Sequence, residues 1–321
     1  MTEPLLSIRN LKTYFIGRGK EVRAVDGVDL DVYPGQIVCI VGESGCGKSM
    51  TPLSIMRLVP GPWGKIVDGQ IVFDGKDLLK LTEEQMTDIR GNEIAMIFQE
   101  PMTALNPVLT VGDQITEVLL RHRDMTKRQA VEQAVEILQF VGVPRAREIM
   151  REYPHQLSGG MRQRVMIAMA MVCRPKLLIA DEPTTALDMT IQAQVLELMR
   201  QLRDNFHTSI IMITHDLGVV AEMADQVVVM YAGQIVESAR ADDMFDNPIH
   251  PYTQALFASI PSLDETKEVL YSIPGMVPDA ANYPTGCRFA DRCEKVQSSC
   301  MESEQSLREV KRGHWVRCGL V

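Results

Sequence analysis

The chain has 321 residues, 45% hydrophobic and 23% charged, with a formal net charge of −9. That length allows one large or two modest domains, and the acidic balance argues against a nucleic-acid binder that relies on a basic surface. No run approaches the ~18 to 20 apolar residues needed to span a bilayer, and the N-terminus lacks a signal-peptide layout, so the expectation is a cytoplasmic chain that reaches a membrane only through partners.

Leu6, Ile8 and Leu11, then Val25, Val28, Leu30 and Val32, alternate with polar residues and predict strands exposed on one face, in an antiparallel sheet. Ile37 to Val41 is continuously apolar, as expected of a strand buried on both faces. It feeds Gly42-Glu43-Ser44-Gly45-Cys46-Gly47-Lys48-Ser49, which fits G-x-x-x-x-G-K-[ST] at every fixed position, with a helix predicted from about Lys48. Phosphates need many donors at short range, and a glycine-rich turn lets the backbone approach and aim its N–H groups inward. Lys48 is then expected at the β/γ-phosphates of a nucleotide and the Ser49 hydroxyl at Mg²⁺. Cys46 has two open readings: a thiol activated by Lys48 and a helix N-terminus, or an inert small residue.

Ile94–Phe98, Leu177–Ala180, Ser209–Ile213 and Gln226–Tyr231 are further buried-strand candidates, and together they predict a mostly parallel sheet. Ala130, Ala134, Val135, Leu138 and Val141 recur near the helical period, as do Ile191, Val195, Leu198, Met199 and Leu202, so 101–172 is read as a helical insertion. Asp181 ends an apolar strand where its carboxylate can hold a metal, and Glu182 follows as the general base for a water attacking the γ-phosphate. Ile213-Thr214-His215-Asp216 again places polar groups just past an apolar strand, where ligands bind in such sheets. Leu157-Ser158-Gly159-Gly160-Met161-Arg162-Gln163 opens a partly buried helix, whose start is a second anion site. Its other reading is a helix simply capped by Ser158.

After about 245 six prolines, from Pro248 to Pro284, break any long helix, and four of the seven cysteines crowd into the last 35 residues. Domains are therefore placed at 1–245 and 246–321. Cys287, Cys293, Cys300 and Cys318 follow C-x5-C-x6-C-x17-C, which matches neither a common zinc ribbon nor a bacterial ferredoxin run. Four thiolates can satisfy Zn²⁺ or a [4Fe–4S] cluster, and spacing alone does not choose. Two disulfides are not expected in a reducing cytosol.

The phosphate loop, the Ser158–Gln163 signature and the acidic strand, in that order, resemble the ATP-binding subunit of an ABC transporter. The longer strings Gln99 to Pro107, Tyr153-Pro154-His155-Gln156 and His250 to Leu256 resemble the oligopeptide/dipeptide importer group, with nickel importers as close relatives. The resemblance implies a P-loop α/β fold with an N-terminal antiparallel subdomain, a helical subdomain and a small Cys-rich C-terminal domain. It implies nucleotide contacts from Phe15, with Tyr14 as its rival at the adenine, and from Gly42, Ser44, Gly45, Cys46, Gly47, Lys48, Ser49, Met50 and Gln99. It assigns Mg²⁺ to Ser49, Gln99 and Asp181, and the γ-phosphate and attacking water to His215.

The same resemblance implies that ATP is closed between two chains. Ser158, Gly159 and Gly160 then serve the opposite subunit's ATP, and the Ala186-Leu187-Asp188 turn lines that interface. Implied partners are a similar but distinct ATPase, two membrane permease subunits and, indirectly, an extracytoplasmic binding protein, with the chain peripheral on the cytoplasmic face of the inner membrane. Residues from Glu100 to about Leu120 would receive a helix of the membrane subunit. For the cysteines the resemblance favours a [4Fe–4S] cluster of structural role. Against a non-transport relative acting on nucleic acid stands the lack of a coiled coil, a second cassette or a basic surface.

Overall fold

The computed structural model describes residues 3–17, 19–99, 104–185, 188–259 and 272–321. The chain forms two compact units. One gathers Met1–Tyr33, Ile37–Lys80 and Ile213–Val321; the other gathers Pro34–Gln36 and Leu81–Met212.

In the first unit, strands Lys20–Val32, Leu6–Gly17, Gly64–Phe73 and Lys76–Asp77 lie side by side in that order, antiparallel throughout. The alternation has a skip, because Leu6, Ile8, Leu11 and Thr13 are buried while Arg9 and Asn10 are both exposed. A register shift between Ile8 and Leu11 absorbs the extra residue, with Asn10 at φ +47°, so that Leu11 returns to the inner face. Ile37–Val41 is buried at all five positions, as its unbroken apolar run predicts, and pairs parallel with Gln226–Tyr231. Beyond that strand come Gln234–Arg240, His314–Val316 and Arg308–Lys311, each antiparallel to its neighbour.

The last third of the chain is built into this same unit. The Arg23 N–H donates to the Ala280 carbonyl at 3.0 Å, and the Arg317 N–H to that of Val236 at 2.8 Å. Arg288 makes a buried ion pair with Asp26 and donates to the Ala232 carbonyl at 2.6 Å. Glu237, fully buried, accepts from the N–H groups of Ile249 and His250 and from the His314 ring at 2.7 Å, so a buried carboxylate is hydrogen-bonded at both oxygens.

In the second unit, Ile94–Ile97 pairs parallel with Leu177–Asp181, and Ser209–Ile213 lies on the other side of the latter. The expected helical stretch contains Val111–His122, Lys127–Phe140, Ala146–Ile149 and Gly159–Met171. Their starts are legible: Thr110 and Ser158 cap by side-chain oxygen, and Thr126 forms a reciprocal capping box with Gln129. Ala130, Ala134, Val135 and Leu138 turn inward, and Val195, Leu198, Met199 and Leu202 do the same on Met189–Phe206; Ile191 stays half-buried near the end of that helix. Among the described residues no helix is long and apolar enough to cross a membrane.

Candidate functional site

The phosphate loop of the first unit is shaped by contacts that exclude side chains. A Cβ on Gly42 would lie 2.2 Å from the Met230 carbonyl oxygen, and one on Gly47 would lie 2.2 Å from that of Ala24. Both have positive φ, +147° and +99°, so only glycine fits. Ser44 and Gly45 face solvent, while Lys48 is 7% exposed. Its ammonium donates to the carbonyls of Gly42 and Glu43 at 2.8 and 3.0 Å, folded back over its own loop. Ser49 heads the helix Met50–Ile55, and Met50 is its first residue.

Cys46 does not occupy a reactive setting. It is fully buried, and that burial pushes its thiol up, outweighing the nearby Lys48, which lowers it. Of the two readings open in the sequence, the structure favours the inert small residue, because the thiol has no solvent access.

Tyr14 and Phe15 part company on strand Leu6–Gly17. The Tyr14 hydroxyl donates to Asp26 at 2.5 Å and its own ionisation is pushed up, by burial first and then by that carboxylate. Phe15, on the opposite side of the pleat, is half-buried beside Gly64. Thr214 is buried past strand Ser209–Ile213 and Asp216 caps the helix Leu217–Met223, which leaves His215 exposed between them.

In the second unit, Asp181 closes its strand at 5% exposure. Glu182 follows with φ +49°, a backbone region that a non-glycine residue enters only when its surroundings hold it there. Its Oε2 accepts from Gln99 Nε2 and from Thr185 Oγ1, each at 2.9 Å, and the Thr185 N–H donates to its carbonyl at 3.2 Å. The structure therefore brings Gln99 and Glu182 together at the ends of adjacent strands. Ser158 caps Gly159–Met171 through the Met161 N–H at 3.4 Å; Ser158 and Gly159 are exposed. Asp188 caps Met189–Phe206 through the Ile191 N–H at 2.9 Å, while Ala186 and Leu187 of the same turn lie outside the described residues, as do Glu100 to Thr103 of the expected docking segment.

Three partners were not apparent in the sequence. Gln163, 2% exposed, donates to the Pro183 carbonyl at 2.7 Å and so ties the Ser158–Gln163 signature helix to the Asp181–Glu182 turn. Glu43, within the loop, meets Tyr252 and Arg292 from the far end of the chain. A buried glutamine in a helix is a weak signal for such a tie, and contacts at that sequence separation leave none.

Cys287, Cys293, Cys300 and Cys318 line one small cavity together with His250 and Phe289. The Cys287 N–H donates to the Cys300 carbonyl at 2.7 Å, and a Cβ on Gly286 would lie 2.2 Å from that same oxygen, so Gly286 permits the close approach. Burial pushes the thiols of Cys287 and Cys293 up. Among the described residues no group of three or more His, Cys, Asp or Glu is drawn together to hold a metal ion.

A phosphate loop between a buried strand and a helix, together with a glutamine and an acidic pair at the ends of parallel strands, defines a P-loop nucleotide-binding protein. The chain belongs to the ABC transporter family, whose model matches residues 25–185, and residues 236–300 match the oligopeptide/dipeptide transporter C-terminal region. It is 59% identical over 316 residues to the oligopeptide transport ATP-binding protein AppD of Bacillus subtilis (strain 168), covering 98% of this chain and 96% of that one. It is 51% identical over 320 residues to the dipeptide transport ATP-binding protein DppD of the same organism, covering 99% and 95%. Among solved structures it resembles the ATP-binding cassette MJ0796, dimeric in a post-hydrolysis state bound to ADP and Pi. The TM-score is 0.66 at 26% identity, over 74% of this chain and 98% of that one.

Proposed function

We propose that this chain binds and hydrolyses MgATP to energise the import of oligopeptides or dipeptides through a membrane ABC transporter. One observation carries the reading: a single chain joins a match to the ABC transporter family over residues 25–185 to a match to the oligopeptide/dipeptide transporter C-terminal region over residues 236–300. The ATPase part is 1–245 and the transporter-type C-terminal part 246–321.

On binding, Lys48 exchanges its two loop carbonyls for β/γ-phosphate oxygens, and the N–H groups from Ser44 to Met50 surround the phosphates. Phe15 stacks on the adenine; the commitment of the Tyr14 hydroxyl to Asp26 favours Phe15 over its neighbour. Ser49, Gln99 and Asp181 offer hard oxygen donors of the kind Mg²⁺ takes, and the ion when bound offsets charge on the transferring phosphoryl group. Glu182 takes the proton of the attacking water, and its bond from Gln99 Nε2 aims the carboxylate. His215, exposed past its strand, contacts the γ-phosphate and that water.

The exposed Ser158 and Gly159, with the half-buried Gly160, serve the ATP of a second, similar but non-identical ATPase subunit, and Asp188 lines the shared interface. The dimeric state of the MJ0796 cassette supports a pairing of two ATPase subunits, not their non-identity. Two permease subunits and an extracytoplasmic binding protein complete the importer, with this chain peripheral on the cytoplasmic side of the membrane.

The four cysteines are read as ligands of a [4Fe–4S] cluster that staples the C-terminal region. All four cysteines line one small cavity, and four thiolates are the ligand set such a cluster takes; Zn²⁺ is the alternative for the same four thiolates. Visible absorption and iron content of anaerobically purified protein test this, and a colourless, iron-free protein with full ATPase activity refutes it.

The test of function is uptake into vesicles carrying the chain with its permeases and second ATPase. Labelled peptide should accumulate only with ATP and stop with Glu182→Gln. Accumulation of Ni²⁺ in place of peptide would overturn the cargo assignment.

A further inference from the structure

Glu43, the second residue of the phosphate loop, is held at three points. Its N–H donates to the Tyr252 hydroxyl at 2.8 Å, and its carbonyl accepts from Lys48 at 3.0 Å. Its carboxylate is gripped by Arg292 in a bidentate pair, at 2.8 and 3.0 Å. Lys48 must leave its carbonyls when a phosphate arrives. The other two tethers come from the C-terminal part of the chain and have no such duty.

Arg292 is built for holding. Its side chain is 4% exposed, against 29% for Glu43. Beyond Glu43 its nitrogens donate to the carbonyls of Pro274 at 2.7 Å and Ile273 at 3.3 Å, and to the Tyr231 hydroxyl at 3.3 Å. With the two bonds to Glu43, that makes five donations from a group with five N–H donors. The guanidinium also lies against the rings of Tyr231 and Phe289, with centroids at 5.7 and 5.9 Å. Tyr231, Tyr252 and Phe289 pack on one another at 4.6 to 5.4 Å, so both tethers of Glu43 rest on one aromatic cluster. A fork fixed on all its donors presents its carboxylate partner in one orientation, unlike a flexible surface ion pair.

We propose that Arg292 is a positioning residue of the nucleotide site: by clamping the Glu43 carboxylate it holds the phosphate loop in its ATP-accepting shape, so the C-terminal segment sets ATP affinity. The clamp acts before chemistry and touches no reacting atom. Its loss weakens ATP binding and leaves the γ-phosphate step largely intact. The inference rests on the loop being the ATP site.

The test titrates a fluorescent ATP analogue with Mg²⁺ against the full chain and measures steady-state ATP hydrolysis. Arg292→Ala should raise Kd and KM about tenfold, with kcat within about threefold of wild type. Arg292→Lys keeps the charge and loses the fork, and should recover only part of the affinity. Should Arg292→Ala fail to fold, Glu43→Gln leaves every other Arg292 contact in place and should weaken binding about fivefold. The two substitutions should be non-additive when combined. Unchanged Kd in Glu43→Gln, or full additivity, overturns the clamp. Failure of wild-type protein to bind the analogue, or binding unaffected by Lys48→Ala, would instead overturn the ATP-site reading.

Discussion

Gln99 Nε2 donates to Glu182 Oε2 at 2.9 Å, joining a residue two past the end of one parallel strand to the residue that directly follows its neighbour. Thr185 Oγ1 donates to that same oxygen at the same distance, so two donors meet one carboxylate oxygen. Glu182 itself sits at φ +49°, and such a backbone persists only where contacts over-determine it.

Glu182→Gln keeps the shape of the side chain and removes the base. ATP binding should be retained and hydrolysis should fall at least ~100-fold, the scale for removing a general base. Single-turnover hydrolysis set beside nucleotide binding checks this, and near-normal turnover would refute the assignment.

Thr185→Ala deletes one donor to the Glu182 carboxylate and leaves the base. The carboxylate then has freedom it lacks in the native protein, and kcat should fall about tenfold, within the range that misaligned catalytic groups lose. Kd for ATP should stay within about twofold. Comparing kcat with Kd separates this from a general loss of structure.

Cys46 should resist alkylation in the folded protein. Its burial and raised thiol leave neither access nor thiolate. Mass mapping after brief iodoacetamide treatment should find Cys46 unmodified until denaturant is added; rapid labelling in native buffer would restore the reactive reading.

His250 is fully buried and its Nδ1 accepts the Tyr252 N–H at 3.0 Å, so burial holds its pKa down to about 3. The unfolded chain titrates near ~6.5. A depressed histidine contributes stability that is present above ~6.5 and is lost as pH falls toward the folded value, by up to about 1.4 kcal/mol per unit. Denaturation curves between pH 7 and pH 4 should show a shallower pH slope for His250→Gln than for wild type. An unchanged slope would mean that the ring charges without unfolding.

Arg288 and Asp26 form an ion pair whose side chains are 7% and 10% exposed, linking the C-terminal part to the strand Lys20–Val32. Arg288→Ala strands a carboxylate that still accepts from Tyr14, and should cost about 3 kcal/mol. Urea unfolding reads the loss. A change under 1 kcal/mol would show that water replaces the guanidinium freely.

The buried strands Ile37–Val41 and Leu177–Asp181, the glycine loop between strand and helix, and the capped start at Ser158 could all be read from the sequence. Each is set by neighbours a few residues away: hydrophobic period, φ > 0 at glycine, an oxygen facing an orphan N–H. The skip from Ile8 to Leu11 reads as plain alternation in the sequence, and the structure shows it as a bulge. What the pattern could not supply was which distant groups meet. Proline-rich texture after 245 suggested an appendage, yet Arg288, Arg292 and Tyr252 reach back to Asp26 and Glu43.

The sequence by itself determined the chemistry: which residue types are available to hold phosphate, metal and water, and in what local conformations. Tertiary structure decided how those groups are held. It turned Cys46 from a candidate nucleophile into a buried thiol, bonded Gln99 to Glu182, and anchored the phosphate loop to the far end of the chain. The physical reason is that desolvation and hydrogen-bond partnership depend on what surrounds a group in space, and spacing along a chain carries that information only over a turn or two.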